Sequence, residues 1–198
     1  MADTRIRPAR EDDVDGMLAI YTPIVSETAI SFEETPPDAE EFRRRVRAIG
    51  EGSPWLVCAT GERILGYAYA SPFHTRAAYQ WTVEATVYVA ADARRRGVGR
   101  ALYTSLFECL KLQGRRTAVA VIALPNAGSV ALHEAIGFAP VGVLPRAGYK
   151  HGAWQDVGYW SLALSDAGHP SAPVMPDALA GDTRWRRAIQ AGEPLLRP

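Results

Sequence analysis

The chain of 198 residues lacks most of what marks a specialised scaffold. It has only two cysteines, Cys58 and Cys109, each inside an apolar segment, and neither belongs to a CxxC pair or to a metal-ligand spacing. A disulfide framework and a thiolate metal site are thereby excluded, and both thiols are expected in the core. No apolar run approaches about 18 residues, which excludes a membrane-spanning helix. The opening MADTRIRPAREDD is charged and has no apolar stretch of the secretory kind. The expectation is a cytoplasmic protein. Nor is there an excess of either charge, since 22 Lys and Arg balance 22 Asp and Glu. Without a basic field, nucleic-acid binding is not expected, and any anion must be held by a local patch. No internal repeat is visible.

What the chain does have is the composition of a globular domain, 47% apolar over a length suited to one well-buried core. Thr4–Pro8 reads as a strand. Glu11, Asp12 and Asp13 then open a helix in which Val14, Met17, Leu18, Tyr21 and Val25 keep helical spacing. Pro36-Pro37-Asp38 stops the chain and starts a second helix, 39–49, whose RRRVR run reads as a solvated face. PWLVCA (54–59) and RILGYAYA (63–70) flank Gly61-Glu62 as an antiparallel hairpin. WTVEATVYV (81–89) has the strongest strand composition. A helix follows with Val98, Ala101, Leu102, Ser105, Leu106, Cys109 and Leu110 on its inner face. TAVAVIAL (117–124) is almost wholly apolar, as a central strand covered on both faces would be. A helix over 127–136 ends at Gly137, and strands near 139–144 and 156–164 complete the pattern. Past Ser165 the composition shifts, with five of the fourteen prolines in this last segment. The expected division is a domain over 1–164 and a Pro-rich extension over 165–198. That extension reads as a surface layer or a disordered tail, with DTRWRRAI as a short docking helix.

The stretch ARRRGVGRALY (93–103) sets three arginines and two glycines directly before a helix. It is not a Walker A loop, because Gly99 is followed by Arg100-Ala101 rather than Lys-Ser or Lys-Thr. The dinucleotide fingerprint GxGxxG fails at Leu102. The physical content survives both exclusions. No proline interrupts Arg94 to Arg100, Gly97 and Gly99 carry no β-carbon, and the helix start adds its dipole. A pyrophosphate fits such a cradle. A solvated basic turn capping a helix is the other reading.

This R-x-x-G-x-G loop, placed after a strand and before a helix and followed by strand–Asn–helix, resembles the GCN5-related N-acetyltransferase (GNAT) superfamily over about residues 4–164. YQWTVEATVYV (79–89), VAVIALPNAGSVALHEAIGF (119–138) and AGYKHGAWQDVGYW (147–160) are similar, more narrowly, to phosphinothricin N-acetyltransferases. Relatives of that branch acetylate methionine sulfoximine. The resemblance implies an α/β (α+β) GNAT fold, with a mixed, mostly antiparallel central sheet flanked by about four helices. It implies acetyl-CoA as co-substrate, no metal, a small-molecule amine as acceptor and a homodimer. It implies that Arg94, Gly97 and Gly99 hold the pyrophosphate together with Arg95, Arg96, Val98 and Arg100. The backbone of Val87, Tyr88 and Val89 would meet the pantetheine arm.

An α-ammonium has a pKa of about 8, so acetyl transfer to it benefits from a general base. Glu84 is the candidate. Alternation places Thr82, Glu84 and Thr86 on one face of an otherwise apolar strand, where a carboxylate is costly unless it meets a cleft or a partner. A carboxylate paired at a sheet edge is the alternative. The resemblance gives the matching glutamate the role of base, direct or through water. His133 shares a helix face with Asn126 and Ser129. It stands where many acetyltransferases carry a tyrosine acting as general acid. Assisting the amine, orienting Glu84 and plain hydrogen bonding all remain open for it. His133-Glu134 is not the start of a zinc motif, because the second histidine position is Gly137. Asn126 and Ser129 would hold the cofactor, with Asn126 also suited to cap its helix. In SPFHTRAAY (71–79), Arg76 offers a fork for a carboxylate or phosphinate and Tyr79 a hydroxyl. Phe32 and Phe73 offer walls, and His74 stands where relatives tend to carry a basic residue. Lys150 and His151 either add positive charge or line a surface hairpin. Trp154 and Trp160 are expected in the core. The function expected is N-acetylation of phosphinothricin, methionine sulfoximine or a similar amine. Another small amine, or a non-catalytic acyl-CoA sensor, is the alternative.

Overall fold

A computed structural model describes residues 4–166 and 168–197. Its strands are β1 (Thr4–Pro8), β2 (Trp55–Thr60), β3 (Arg63–Pro72), β4 (Thr82–Val89), β5 (Thr117–Leu124), β6 (Ala139–Lys150) and β7 (Ala153–Ala163). They form one sheet in the order β1-β2-β3-β4-β5-β7-β6. All neighbours are antiparallel except β4 and β5. That parallel pair is short, with Thr82, Val83 and Glu84 opposite Thr117, Ala118 and Val119. From there β4 stays with β3 while β5 keeps register with β7 to Leu124↔Asp156, and the sheet opens between them.

Strand alternation builds two cores. Helices α1 (Val14–Glu27) and α2 (Ala39–Gly52) cover one face, where Met17, Val25, Phe42, Trp55, Val57 and Tyr67 pack together. Helices α3 (Val98–Leu112) and α4 (Ala127–Ile136) cover the other, over Leu56, Cys58, Ala68 and Ala85. Both thiols are free and fully buried, and burial pushes Cys58 up to about 11 and Cys109 to about 12. The RRRVR run is a solvated, ion-paired face: Arg44 and Arg45 bond Glu41, Arg45 also reaches Glu33, and Arg47 pairs with Glu11. No helix among the described residues is long and apolar enough to cross a membrane.

The structure departs from the sequence expectations in three places. β5 is not covered throughout, since Val121 is 38% exposed where the sheet opens. β6 continues past Leu144 to Lys150 because an irregularity between Leu144 and Gly148 carries the strand across Pro145. His151 and Gly152, both at positive φ, then make the tight turn into β7. Trp154 lies on the open side of that hairpin, 58% exposed against Tyr149, whereas Trp160 is in the core as expected. The extension follows one of its two readings: residues 171–197 are a layer laid on the domain rather than a tail, and the DTRWRRAI segment is the expected docking helix.

These residues run antiparallel along α3, from its C-terminal end to its N-terminal end. At the first, Trp81 donates its indole N–H to the Ser171 carbonyl, and Gln113 exchanges two hydrogen bonds with the Val174 backbone at 2.9 and 2.8 Å. After the single turn α5 (Pro176–Leu179) comes α6 (Thr183–Gln190), capped by the Asp182 side chain. Its Trp185, Ala188 and Ile189 join the α3 core. At the far end Gly192 N–H donates to Ser105 Oγ at 3.0 Å, and Glu193 accepts from Ile6 N–H on β1 at 2.9 Å. Trp185 is 6% exposed. Trp185→Ala is expected to cost about 3 kcal/mol in urea unfolding. A loss within the ~0.5 kcal/mol of an ordinary surface change would show that the extension is not an integral layer.

Candidate active site

Where β4 and β5 part, a cleft of about 560 Å³ opens. β4 supplies Glu84 to Tyr88, β5 supplies Val121 to Ala123, and α4 supplies Asn126, Ser129 and His133. The segment after α1 adds Ile30, Ser31 and Phe32, and β6 adds Leu144 and Ala147. Glu84 sits on a central strand, not at a sheet edge, and burial alone raises its pKa above the ordinary carboxylate value. Among the described residues it has no ion-pair partner. The Tyr67, Tyr69 and Trp55 rings stack on the same side of the sheet, with Tyr69 lining the cleft and its hydroxyl pushed up to about 12 by burial. Glu84 is thus a carboxylate made more basic by an apolar wall, open to whatever enters the cleft.

His133 enters from the other face and is 4% exposed. Its Nδ1 lies 2.7 Å from the Ser129 carbonyl, which can only accept, so Nδ1 carries the proton. Nε2 therefore accepts, from the Tyr103 hydroxyl at 3.0 Å. The Ala85 carbonyl, 3.2 Å from the same oxygen and on the stretch of β4 without a β5 partner, shares that one hydroxyl proton. Burial lowers the His133 pKa and the Ser129 bond opposes the shift only in part, so the ring is neutral at pH 7. With both nitrogens engaged, it does not touch Glu84. Asn126 caps α4, its Oδ1 accepting from Ser129 N–H at 3.2 Å.

The arginine loop leads from β4 into α3. Gly97 is the N-cap at φ 82°, and no side chain caps the helix, so the first N–H groups of α3 stay available. Arg94, Arg95 and Arg100 are exposed. Among the described residues no carboxylate pairs with them or with Arg96. The two glycines face different ways. A β-carbon at Gly99 would come 3.1 Å from Leu132 of α4 and 3.5 Å from Val89. One at Gly97 would overlap the Leu195 carbonyl of the extension. The close approach that Gly97 permits is by the chain itself.

Residues 6–158 match the model of the family described as acetyltransferase (GNAT) domain. The chain belongs to the GNAT acetyltransferases. It is an N-acetyltransferase, similar to the phosphinothricin N-acetyltransferase of Streptomyces viridochromogenes, with 40% identity over 86% of this chain and 93% of that one. It is 38% identical to the L-methionine sulfoximine/L-methionine sulfone acetyltransferase of Pseudomonas aeruginosa, over 80% of this chain and 94% of that one. The crystal structure of a GNAT phosphinothricin acetyltransferase from Sinorhizobium meliloti, solved in complex with AcCoA, superposes with a TM-score of 0.82. It shares 35% identity, covering 89% of this chain and 97% of that one.

Within this GNAT fold the residues singled out from sequence fall into three groups. Glu84, Val87, Tyr88, Asn126, Ser129, His133 and Phe32 line the cleft. Arg94 to Arg100 and Val89 lie beyond it, at the end of β4 and the start of α3. Phe73, His74, Arg76 and Tyr79 lie outside its lining, because β3 ends at Pro72 and the chain turns outward before β4 begins. There Phe73, His74 and Tyr79 pack on one another, and Arg76 is exposed. Sequence reading missed Tyr103 and Tyr69. Tyr103 stands one position off the apolar stripe of α3, and its i,i+4 pairing with Phe107, ring centroids 5.0 Å apart, was the available sign.

Lys150 and His151 add no charge to the cleft lining. The Lys150 ammonium is buried and donates to the Val25 and Ser31 carbonyls, each at 2.6 Å. Ser31 is also bonded to Tyr21, which reaches Glu33. Lys150 thus fixes the segment that carries Ile30, Ser31 and Phe32 into the cleft. Lys150→Met would leave both carbonyls unpaired and is expected to cost about 2 kcal/mol. In steady-state kinetics the amine KM should rise while the acetyl-CoA KM stays. An unchanged amine KM would show that this segment does not shape the acceptor site.

Proposed function

We propose that this enzyme transfers an acetyl group from acetyl-CoA to the amino group of a small amino-acid-like substrate, most specifically phosphinothricin or methionine sulfoximine, in the cytoplasm and as a homodimer. The observation that carries the reading is Glu84, a desolvated carboxylate without an ion-pair partner among the described residues, at the point where the sheet divides. The uncapped start of α3, its arginines and the unpartnered stretch of β4 fit the pyrophosphate and pantetheine parts of acetyl-CoA. Arg94 to Arg100 would hold the first, and the backbone of Val87, Tyr88 and Val89 with Asn126 and Ser129 the second. Acetyl-CoA supplies an activated thioester. Glu84 accepts the proton of the incoming ammonium, directly or through water. His133, with no free ring nitrogen, holds the Tyr103 hydroxyl against β4 and acts by positioning. Apolar side chains exposed on β6 and β7, among them Val141 at 67% and Trp154 at 58%, support the dimer.

Because burial raises the Glu84 pKa, kcat/KM should rise with pH through a value above the ordinary carboxylate range. Glu84→Gln should remove that limb and lower kcat by about a hundredfold or more, with acetyl-CoA affinity unchanged. A raised folded pKa favours the protonated group, so its stabilising contribution is present below the unfolded pKa and lost as pH rises through the folded one. Glu84→Gln should therefore raise Tm near pH 8 and lose that advantage near pH 4. Weakened acetyl-CoA binding with normal kcat would contradict the assignment.

The acceptor is tested by thiol release from acetyl-CoA against phosphinothricin, methionine sulfoximine, spermidine and a kanamycin-type amine. Turnover of the first two alone is expected. One observation favours a neighbouring reading, a small amine without a second acidic group: no Arg or Lys lines the cleft among the described residues, and Arg76 could meet a phosphinate only from outside. Turnover of neither acid would support it. Acetyl-CoA binding without turnover of any amine would point to a sensor.

A further inference from the structure

The arginine loop is held between two layers. On one side Gly99 approaches Leu132 of α4 and Val89 of β4, the strand and helix that line the cleft. On the other side lies the end of the extension, residues 192–197. Gly192 lies so close to α3 that a β-carbon there would overlap the Ala101 carbonyl, and its N–H donates to Ser105 Oγ at 3.0 Å. Leu195 and Leu196 donate back to Gly192 and Glu193 in a tight turn, which carries the Leu195 carbonyl against Gly97. Arg197 N–H then donates to the Arg96 carbonyl at 3.0 Å. The Glu193 carboxylate anchors the turn to β1 through Ile6 N–H.

The loop needs such support for its shape. Arg95 and Gly97 both adopt left-handed backbone conformations, at φ 62° and 82°, and Arg95 has a β-carbon that disfavours it. Between them stands Arg96, whose carbonyl receives the Arg197 N–H. The hydrogen bond thus falls on the residue flanked by two left-handed ones, of which Arg95 is the strained one. We propose that residues 192–197 are a positioning clamp: they hold the loop 94–100 in its anion-binding shape from the side opposite the cleft and so set the affinity for acetyl-CoA. The inference rests on the reading of that loop as the pyrophosphate site.

The test uses the full chain and titration calorimetry with acetyl-CoA. Arg197→Pro removes the donor N–H. Leu196 already has the extended conformation, φ −70° and ψ 136°, that a following proline requires. Arg197→Ala keeps the N–H and removes the charge. Glu193→Ala releases the anchor, whereas Glu193→Gln keeps an acceptor oxygen. Arg197→Pro and Glu193→Ala are each expected to raise Kd about fivefold. The cofactor KM should rise in parallel, while kcat at saturation and the amine KM hold, and Arg197→Ala and Glu193→Gln should bind as the parent. An Arg94→Ala/Arg100→Ala variant tests the loop itself. If it binds weakly while Arg197→Pro and Glu193→Ala bind normally, the clamp is wrong and the loop reading stands. If all bind normally, the loop reading falls and the clamp with it. Tighter binding in Arg197→Pro would make the segment an obstacle rather than a support. Equal weakening by Arg197→Ala would replace the backbone bond with a charge contact, and either result overturns the proposal.

Discussion

The structure turns on the brevity of one strand pairing. β4 and β5 share three residue pairs and then separate, β4 continuing beside β3 and β5 beside β7. Everything that makes the cleft chemically useful follows from that parting. Past Glu84 the β4 backbone has no strand on its β5 side, so the Tyr103 hydroxyl can reach Ala85, and Glu84 itself stands at the fork. A sheet that zipped fully would bury the same residues and leave no room between them.

Two polar groups at the fork come from opposite faces of the sheet and live in different regimes. Glu84 is desolvated with no ion-pair partner among the described residues, which raises its pKa. His133 is desolvated, which favours its neutral form, and its two hydrogen bonds fix the ring. In the proposed mechanism that contrast of environment is what divides the two roles, Glu84 accepting the proton and His133 positioning. The stacked Trp55 and Tyr69 rings lie on the Glu84 side of the sheet, and the Lys150 bonds to the Val25 and Ser31 carbonyls tie down the segment that brings Ile30, Ser31 and Phe32 to the cleft.

Much of this was legible in the sequence. Period-two alternation in WTVEATVYV isolates Glu84, and the helix spacing of Asn126, Ser129 and His133 aligns three residues that do line one cleft. What stayed hidden depends on distances between elements remote in the chain. Nothing local says that Lys150 finds carbonyls on α1 and the loop after it, more than 110 residues away, or that the outward turn after Pro72 takes Arg76 from the cleft lining. Trp154 misled because residue type suggests burial, whereas its place on an outer hairpin decides exposure. For the extension two readings stayed open in the sequence. Its prolines fit a tail as well as a surface layer, and the anchors Trp185, Ile189 and Gly192 lay it along α3.

The bond from Ile6 N–H to Glu193 has a consequence for the outer margin of the sheet. β1 is an edge strand, and an edge with open N–H groups is a template onto which another chain can add a strand. Glu193 occupies such a donor and sets a negative charge beside it. The turn at 192–197 is therefore also a guard on that edge, since an incoming strand would have to displace a carboxylate to reach the Ile6 N–H.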